Sequence, residues 1–114
     1  MDVNKAGTVR ACFESYVRQD RDRAERLIGD SFVFTSPQDD HIDRAAYFER
    51  CFPTMGRLRR HELLHVTPTD GDDVFVLYEY ELTTGEVFRN AEVLTVRDGQ
   101  IEEAQVFFGG RFDD

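Results

Sequence analysis

Glu92, in the stretch "FRNAEVLTV", stands two residues from Asn90 and shares its strand face with Phe88 and Leu94. A carboxyl on an apolar face loses hydration, so its pKa rises and it keeps a proton near neutrality. A tyrosine hydroxyl beside it, with Tyr16 the candidate, makes a two-donor site for a carbonyl or enolate oxygen. Glu79, in "VFVLYEYEL", falls on the neighbouring strand. Two carboxyls brought together cannot easily both ionise, so one would serve as acid and the other as base. Asp39, Asp40 and His41 follow the proline of "FTSPQDDH" and are further candidates for moving protons, His41 because its charge changes near physiological pH. Each of these groups also has a plain structural reading. Tyr16 reads equally as a core aromatic, Glu92 as a hydrogen-bonded structural carboxyl, and the aspartates as a solvated turn.

Other chemistries lack their residues. His61 and His65 lie about 13 Å apart in extended chain, too far to share an ion, and no carboxylate stands at ligand spacing, so no metal is expected. No Ser-His-Asp arrangement, Gly-rich phosphate loop or dinucleotide fingerprint is present, and no cofactor is expected. A net charge of −9 repels nucleic acid and anionic membrane surfaces. Thirteen of the fourteen basic residues are arginine, so a specific cation here is a planar guanidinium. Cys12 and Cys51 fall on apolar helix faces and read as core thiols. The opening "MDVNKAG" lacks the apolar run of a secretion leader, and no stretch approaches the roughly 20 apolar residues of a membrane span. The expectation is a cytoplasmic protein with both thiols reduced.

These side chains need elements to hold them. The 114 residues suffice for one domain, residues 1–114, and ten phenylalanines predict an aromatic interior. Val9, Cys12, Phe13, Tyr16 and Val17 form one stripe of an amphipathic helix from about Asn4 to Gln19. "DRDRAERLIGD" predicts a shorter helix capped by Asp20 or Asp22 and left through Gly29. "SFVFTS" reads as a strand closed by Pro37, and "DRAAYFERCF" as a third helix with Asp43 as N-cap. Beyond Pro53 the period becomes two: "RLRRHELLHVTPT", "VFVLYEYEL", "VFRNAEVLTV" and "IEEAQVFFG" are four strands of an antiparallel meander, joined by "DGDD", "TTGE" and "RDGQ". The sum is an α+β fold in which a curved antiparallel sheet wraps around about three N-terminal helices. The tail "FDD" is expected to fray.

That order of elements, with "FTSP" after two helices and "FRNAEVLTVRDGQIEEAQVFFG" near the end, resembles the SnoaL-like group of the nuclear-transport-factor-2-like superfamily. The superfamily also holds ketosteroid isomerase, scytalone dehydratase and limonene epoxide hydrolase. The resemblance implies a cone whose concave sheet and helices enclose a pocket open at one end. Similarity to ketosteroid isomerase implies that Phe75, Leu77 and Glu79 face inward, with Val76, Tyr78 and Tyr80 on the convex face. It further implies that Phe34, Ser36, Phe88, Asn90, Glu92, Leu94, Ala104, Val106 and Phe108 face the cavity. Phe13 and Tyr47 join them from the helices as ligand-binding candidates. Tyr16 in "SYVR" matches the family's oxyanion tyrosine, and Glu92 matches its oxyanion aspartate with one methylene more. Ser36 occupies the place of the general-base aspartate, and a serine cannot abstract a carbon-bound proton unaided. Asn90-x-Glu92 resembles the Arg-x-Asp of limonene epoxide hydrolase, with Asn in place of Arg.

Two functions follow from this resemblance and these residues. One is a cofactor-independent lyase, isomerase or cyclase acting on a small apolar carbonyl compound, with Tyr16 and Glu92 polarising its oxygen and Asp39, Asp40 or His41 moving protons at the rim. The other is a non-catalytic module that holds an apolar ligand or forms a dimer. A homodimer is expected through the convex sheet face, using Val76, Tyr78, Tyr80 and Phe107.

Overall fold

The computed structural model describes residues 4–112; the "DD" of the tail lies outside them. Helix α1 spans Lys5–Arg18 and α2 spans Arg21–Leu27. Strand β1 is Ile28–Thr35, β2 is Ile42–Asp43, and α3 is Arg44–Arg50, followed by a 3-10 helix, Phe52–Arg57. Strands β3 (Leu58–Pro68), β4 (Asp73–Leu82), β5 (Val87–Arg97) and β6 (Gln100–Arg111) complete the chain.

The caps fall where short polar side chains can satisfy free helix N–H groups. Asp20 accepts from the Arg23 amide at 3.2 Å and Asp43 from the Ala46 amide at 2.9 Å. Gly29, read as a helix exit, is the second residue of β1, and α2 leaves through an extended Ile28 instead. In α1 the buried stripe is Val9, Cys12 and Ser15, while Val17 is exposed. Ser15 can be buried because its hydroxyl donates to the Cys12 carbonyl at 2.6 Å.

The sheet runs β2-β1-β6-β5-β4-β3. The four-strand meander is antiparallel throughout, but β1 joins its far edge parallel to β6, so the sheet is mixed and not wholly antiparallel. The chain reaches β6 from β1 only after β2, α3, the 3-10 helix and the strands β3, β4 and β5, which is the long connection a parallel pair needs. α1 and α3 lie across the concave face, and the core there includes Val9, Ala24, Ile28, Phe32, Phe48, Val74, Leu94, Val96 and Ile101.

The facing of β4 differs by one residue from the one implied by resemblance. Val74, Val76 and Tyr78 are buried, whereas Phe75 is 51% exposed and Glu79 meets arginines on the outer face. Phe75, Leu77 and Glu79 therefore do not line the cavity, and Val76, Tyr78 and Tyr80 do not form a convex dimer face. The exposed apolar side chains of the outer face are Phe75 and, on β6, Phe107. The two faces of β4 differ in polarity. Positions 74, 76, 78 and 80 are apolar or aromatic without exception, while the alternate set contains Glu79 and Glu81, which pair with Arg89, Arg60 and Arg59.

A bulge bends the end of β6. Asn90 pairs with Phe108, but Phe88 pairs with Arg111, so Gly109 and Gly110 are fitted opposite Arg89. Gly110 has φ 92°, and a Cβ on Gly109 would stand 2.5 Å from the Arg89 carbonyl oxygen. Gly109→Ala should therefore displace the β5–β6 backbone. The expected cost is about 1 kcal/mol, at the low end for overpacking because this strand end is exposed and can shift. Urea denaturation checks it; a midpoint equal to that of the parent protein would refute the close approach.

Candidate functional site

The concave face and the helices enclose a cavity of about 760 Å³. α1 contributes Cys12, Phe13 and Tyr16 to its wall. β1 and the turn after it contribute Phe32, Phe34 and Ser36, and α3 contributes Tyr47 and Arg50. The meander supplies His61, Tyr78, Tyr80, Phe88, Asn90, Glu92, Leu94, Ala104, Val106 and Phe108. Ring stacking fixes much of this wall. His61 lies 4.9 Å from Tyr78 and 5.6 Å from Phe13, centroid to centroid, and Tyr80 stacks on Phe88 at 5.6 Å.

Glu92 is the buried carboxyl, with 7% of its surface exposed. Tyr78 donates its phenolic hydrogen to Glu92 Oε1 at 3.0 Å, and Asn90 Nδ2 donates to the Tyr78 oxygen at 3.4 Å. Burial pushes the Glu92 pKa up to about 7, against which the Tyr78 hydrogen bond works only partly. Near neutrality Glu92 is thus an acid with one oxygen accepting from Tyr78. Among the described residues, the other oxygen has no hydrogen-bond partner, and the residue lines the cavity. Burial, followed by the nearby Glu92 charge, also holds Tyr78 well above the ordinary range of a phenol.

The tyrosine beside Glu92 is Tyr78, not Tyr16. Tyr16 does line the cavity, but its hydroxyl lies 2.7 Å from Thr54 Oγ1. Thr54 in turn donates to the Cys51 carbonyl at 2.7 Å, so the Tyr16 hydrogen points to Thr54. Cross-strand register explains the substitution. Tyr78 pairs with Asn90 and Val76 with Glu92, which makes Tyr78 and Glu92 diagonal neighbours on the concave face, within reach of two long side chains.

His61 is a site residue that sequence reasoning placed only among scattered histidines. Sandwiched between Phe13 and Tyr78, it is desolvated, and its pKa falls to about 4. A neutral imidazole therefore stands in the same cavity as a protonated carboxyl, and its ring nitrogens make no hydrogen bond among the described residues. The mixed polarity of "RLRRHELLHV" has no clean alternation that would assign His61 to the inner face.

Glu79 is remote from this chemistry. Arg89 and Arg60 bond it at 2.9 Å each on the outer face and hold it below the usual carboxylate range, so no Glu79–Glu92 acid–base pair exists. Asp40 and His41 are exposed and paired with each other, outside the cavity wall. Asp39 is the acid that reaches the mouth, where it holds Arg50 at 3.2 Å. Ser36 lies at the expected strand end, but its Oγ accepts from the amides of Gln38 (3.1 Å) and Asp39 (3.2 Å). It closes a turn and offers no base. Cys12 and Cys51 are free thiols whose pKa values burial raises to about 12 and about 11, so neither is a thiolate nucleophile at neutral pH.

Residues 9–104 match the family model described as a SnoaL-like domain. No curated protein matches the chain. Solved structures share the fold. A protein from Kribbella flavida DSM 17836 is 26% identical, with a TM-score of 0.78 over 90% of this chain and 84% of its own. A putative ketosteroid isomerase from the same organism is 17% identical, with a TM-score of 0.78 over 100% of this chain and 84% of its own. An LEH-like epoxide hydrolase from M. tuberculosis is 18% identical, with a TM-score of 0.75 over 95% and 85%.

Proposed function

We propose, for a chain that belongs to the SnoaL-like domain family, a pocket that binds a small apolar compound through one carbonyl or hydroxyl oxygen and shifts a proton on it without a cofactor. One observation carries this reading: the buried Glu92 carboxyl, bonded by Tyr78 on one side and, among the described residues, unpartnered on the other, lines an aromatic cavity. A protonated carboxyl there donates to a ligand oxygen and stabilises charge developing on it. His61, neutral and without a hydrogen bond among the described residues, is the acceptor on the same wall. Isomerisation, elimination and cyclisation of a carbonyl compound all need this donor–acceptor pair.

The matched ligands 1-tetralone and tetralin, which differ in one carbonyl oxygen, test the donor. Calorimetry at pH 6 should show the ketone bound about fivefold more tightly, the usual worth of one net hydrogen bond. By pH 8, with Glu92 ionised, that preference should vanish. In Glu92→Gln it should no longer depend on pH. An equal preference at both pH values in the parent protein would remove Glu92 from the reading. Any substrate found to be converted should lose its turnover in Glu92→Gln with the fold retained.

A second reading, a binding module without catalysis, is favoured by Ser36. Its hydroxyl is spent on the turn, at the strand end where the resemblance implies a base. Native mass spectrometry distinguishes the two: a ligand recovered unaltered after prolonged incubation supports the module, and conversion excludes it.

A further inference from the structure

The mouth of the cavity has a charge that its interior lacks. Besides His61, which is neutral, the Asp, Glu and Arg side chains that line the space are Asp39, Arg50, Arg57 and Glu92. Asp39 and Arg50 pair at 3.2 Å and cancel. Glu92 is buried and carries its proton below about pH 7. Arg57 is left, at the last position of the 3-10 helix, with its backbone carbonyl tied to the Thr83 amide at 3.0 Å and its side chain exposed. Among the described residues, the Arg57 guanidinium has no ion pair or hydrogen bond. In a chain of net charge −9, a fixed cation without a carboxylate partner beside an apolar cavity is an anchor for an anion.

We infer that the ligand of this pocket is amphipathic: an apolar, preferably aromatic body that enters the cavity, and an anionic group that stays at the mouth and pairs with Arg57. This deepens the pocket reading proposed above and rests on it. Inside, the wall is aromatic and aliphatic, with the Glu92 donor to orient a neutral oxygen. At the mouth the guanidinium meets a carboxylate, sulfonate or phosphate in partial contact with water, where an ion pair adds a modest increment in affinity and sets the direction of entry.

Two fluorescent probes that differ by a single anionic group separate the two claims. 1-Anilinonaphthalene-8-sulfonate and N-phenyl-1-naphthylamine share one aromatic body, and the protein's lack of tryptophan keeps the background low. Titrations at pH 6 should show both probes bound by the parent protein. Arg57→Gln should weaken the sulfonate about fivefold and leave the neutral amine within about twofold. Arg57→Glu should widen that gap. Raising salt to roughly 0.5 M should weaken the sulfonate alone, because only an ion pair near water is screened. Unchanged binding of the neutral amine also reports that the variants are folded. If Arg57→Gln alters both probes alike, or neither, the anionic anchor is overturned while the pocket stands. If neither probe binds the parent protein, the pocket reading fails together with the anchor.

Discussion

Glu92→Gln should flatten the alkaline side of the stability profile. In the native protein the Glu92 pKa is about 7, against an ordinary 4.5. Between those values the folded state binds more protons than the unfolded chain, so stability declines as pH rises. The contribution is complete below pH 4.5 and is lost once pH passes about 7, a total of roughly 3 kcal/mol. For a domain of this length that is on the order of 10 °C in Tm. Gln has no proton to lose, so its stability relative to the parent should climb across the same window and level off above it. His61 acts in the opposite sense. Its folded pKa of about 4 lies below the ordinary 6.5, so its contribution is present above 6.5 and is lost as pH falls through about 4. That acid limb should remain in Glu92→Gln. Denaturant unfolding from pH 5 to 8.5, compared between the two proteins, isolates the carboxyl because all exposed acids are common to both. Parallel curves would mean that Glu92 is hydrated and titrates normally.

Tyr78→Phe is expected to cost about 1–3 kcal/mol despite the loss of a single oxygen atom. The hydroxyl serves two buried groups, donating to Glu92 at 3.0 Å and accepting from Asn90 at 3.4 Å. Its removal leaves both without that partner at buried positions, where an unmet polar group carries much of its desolvation penalty. The variant should also shift the titration of Glu92. The Tyr78 hydrogen bond lowers that pKa, so its loss should carry the midpoint above 7 and extend the alkaline decline to higher pH. Carboxyl carbon NMR of labelled Glu92 reads the midpoint directly. In the Glu92→Gln background the cost of Tyr78→Phe should shrink, since part of it is the stranding of a charge-bearing group. A purely packing role for Tyr78 predicts equal costs in both backgrounds and an unmoved midpoint.

These effects trace back unevenly to the sequence. The turn signals, the two aspartate caps and the shared face of Phe88, Asn90, Glu92 and Leu94 were legible, because local hydrogen bonding and strand period act over a few residues. The inward direction of that face came from the resemblance to ketosteroid isomerase. The aromatic content also foretold the cavity wall. The role of Ser36 was not legible, since a hydroxyl at a strand end can face a ligand or accept from the turn that follows it, and only the placement of the Gln38 and Asp39 amides chooses.

What the sequence determined by itself is the order of the three α-helices and of the strands other than β2, and the presence of a desolvated carboxyl on β5. Tertiary structure alone decided which face of β4 points inward and hence which tyrosine meets Glu92. Alternation divides a strand into two faces but does not say which is concave; that follows from the helices packed on one side and from arginines on flanking strands that hold Glu79 and Glu81 on the other. Moving that strand by one residue exchanged Tyr16 for Tyr78 as the partner of Glu92. It also turned Tyr78 and Tyr80, two residues of the expected dimer surface, into the wall of the pocket.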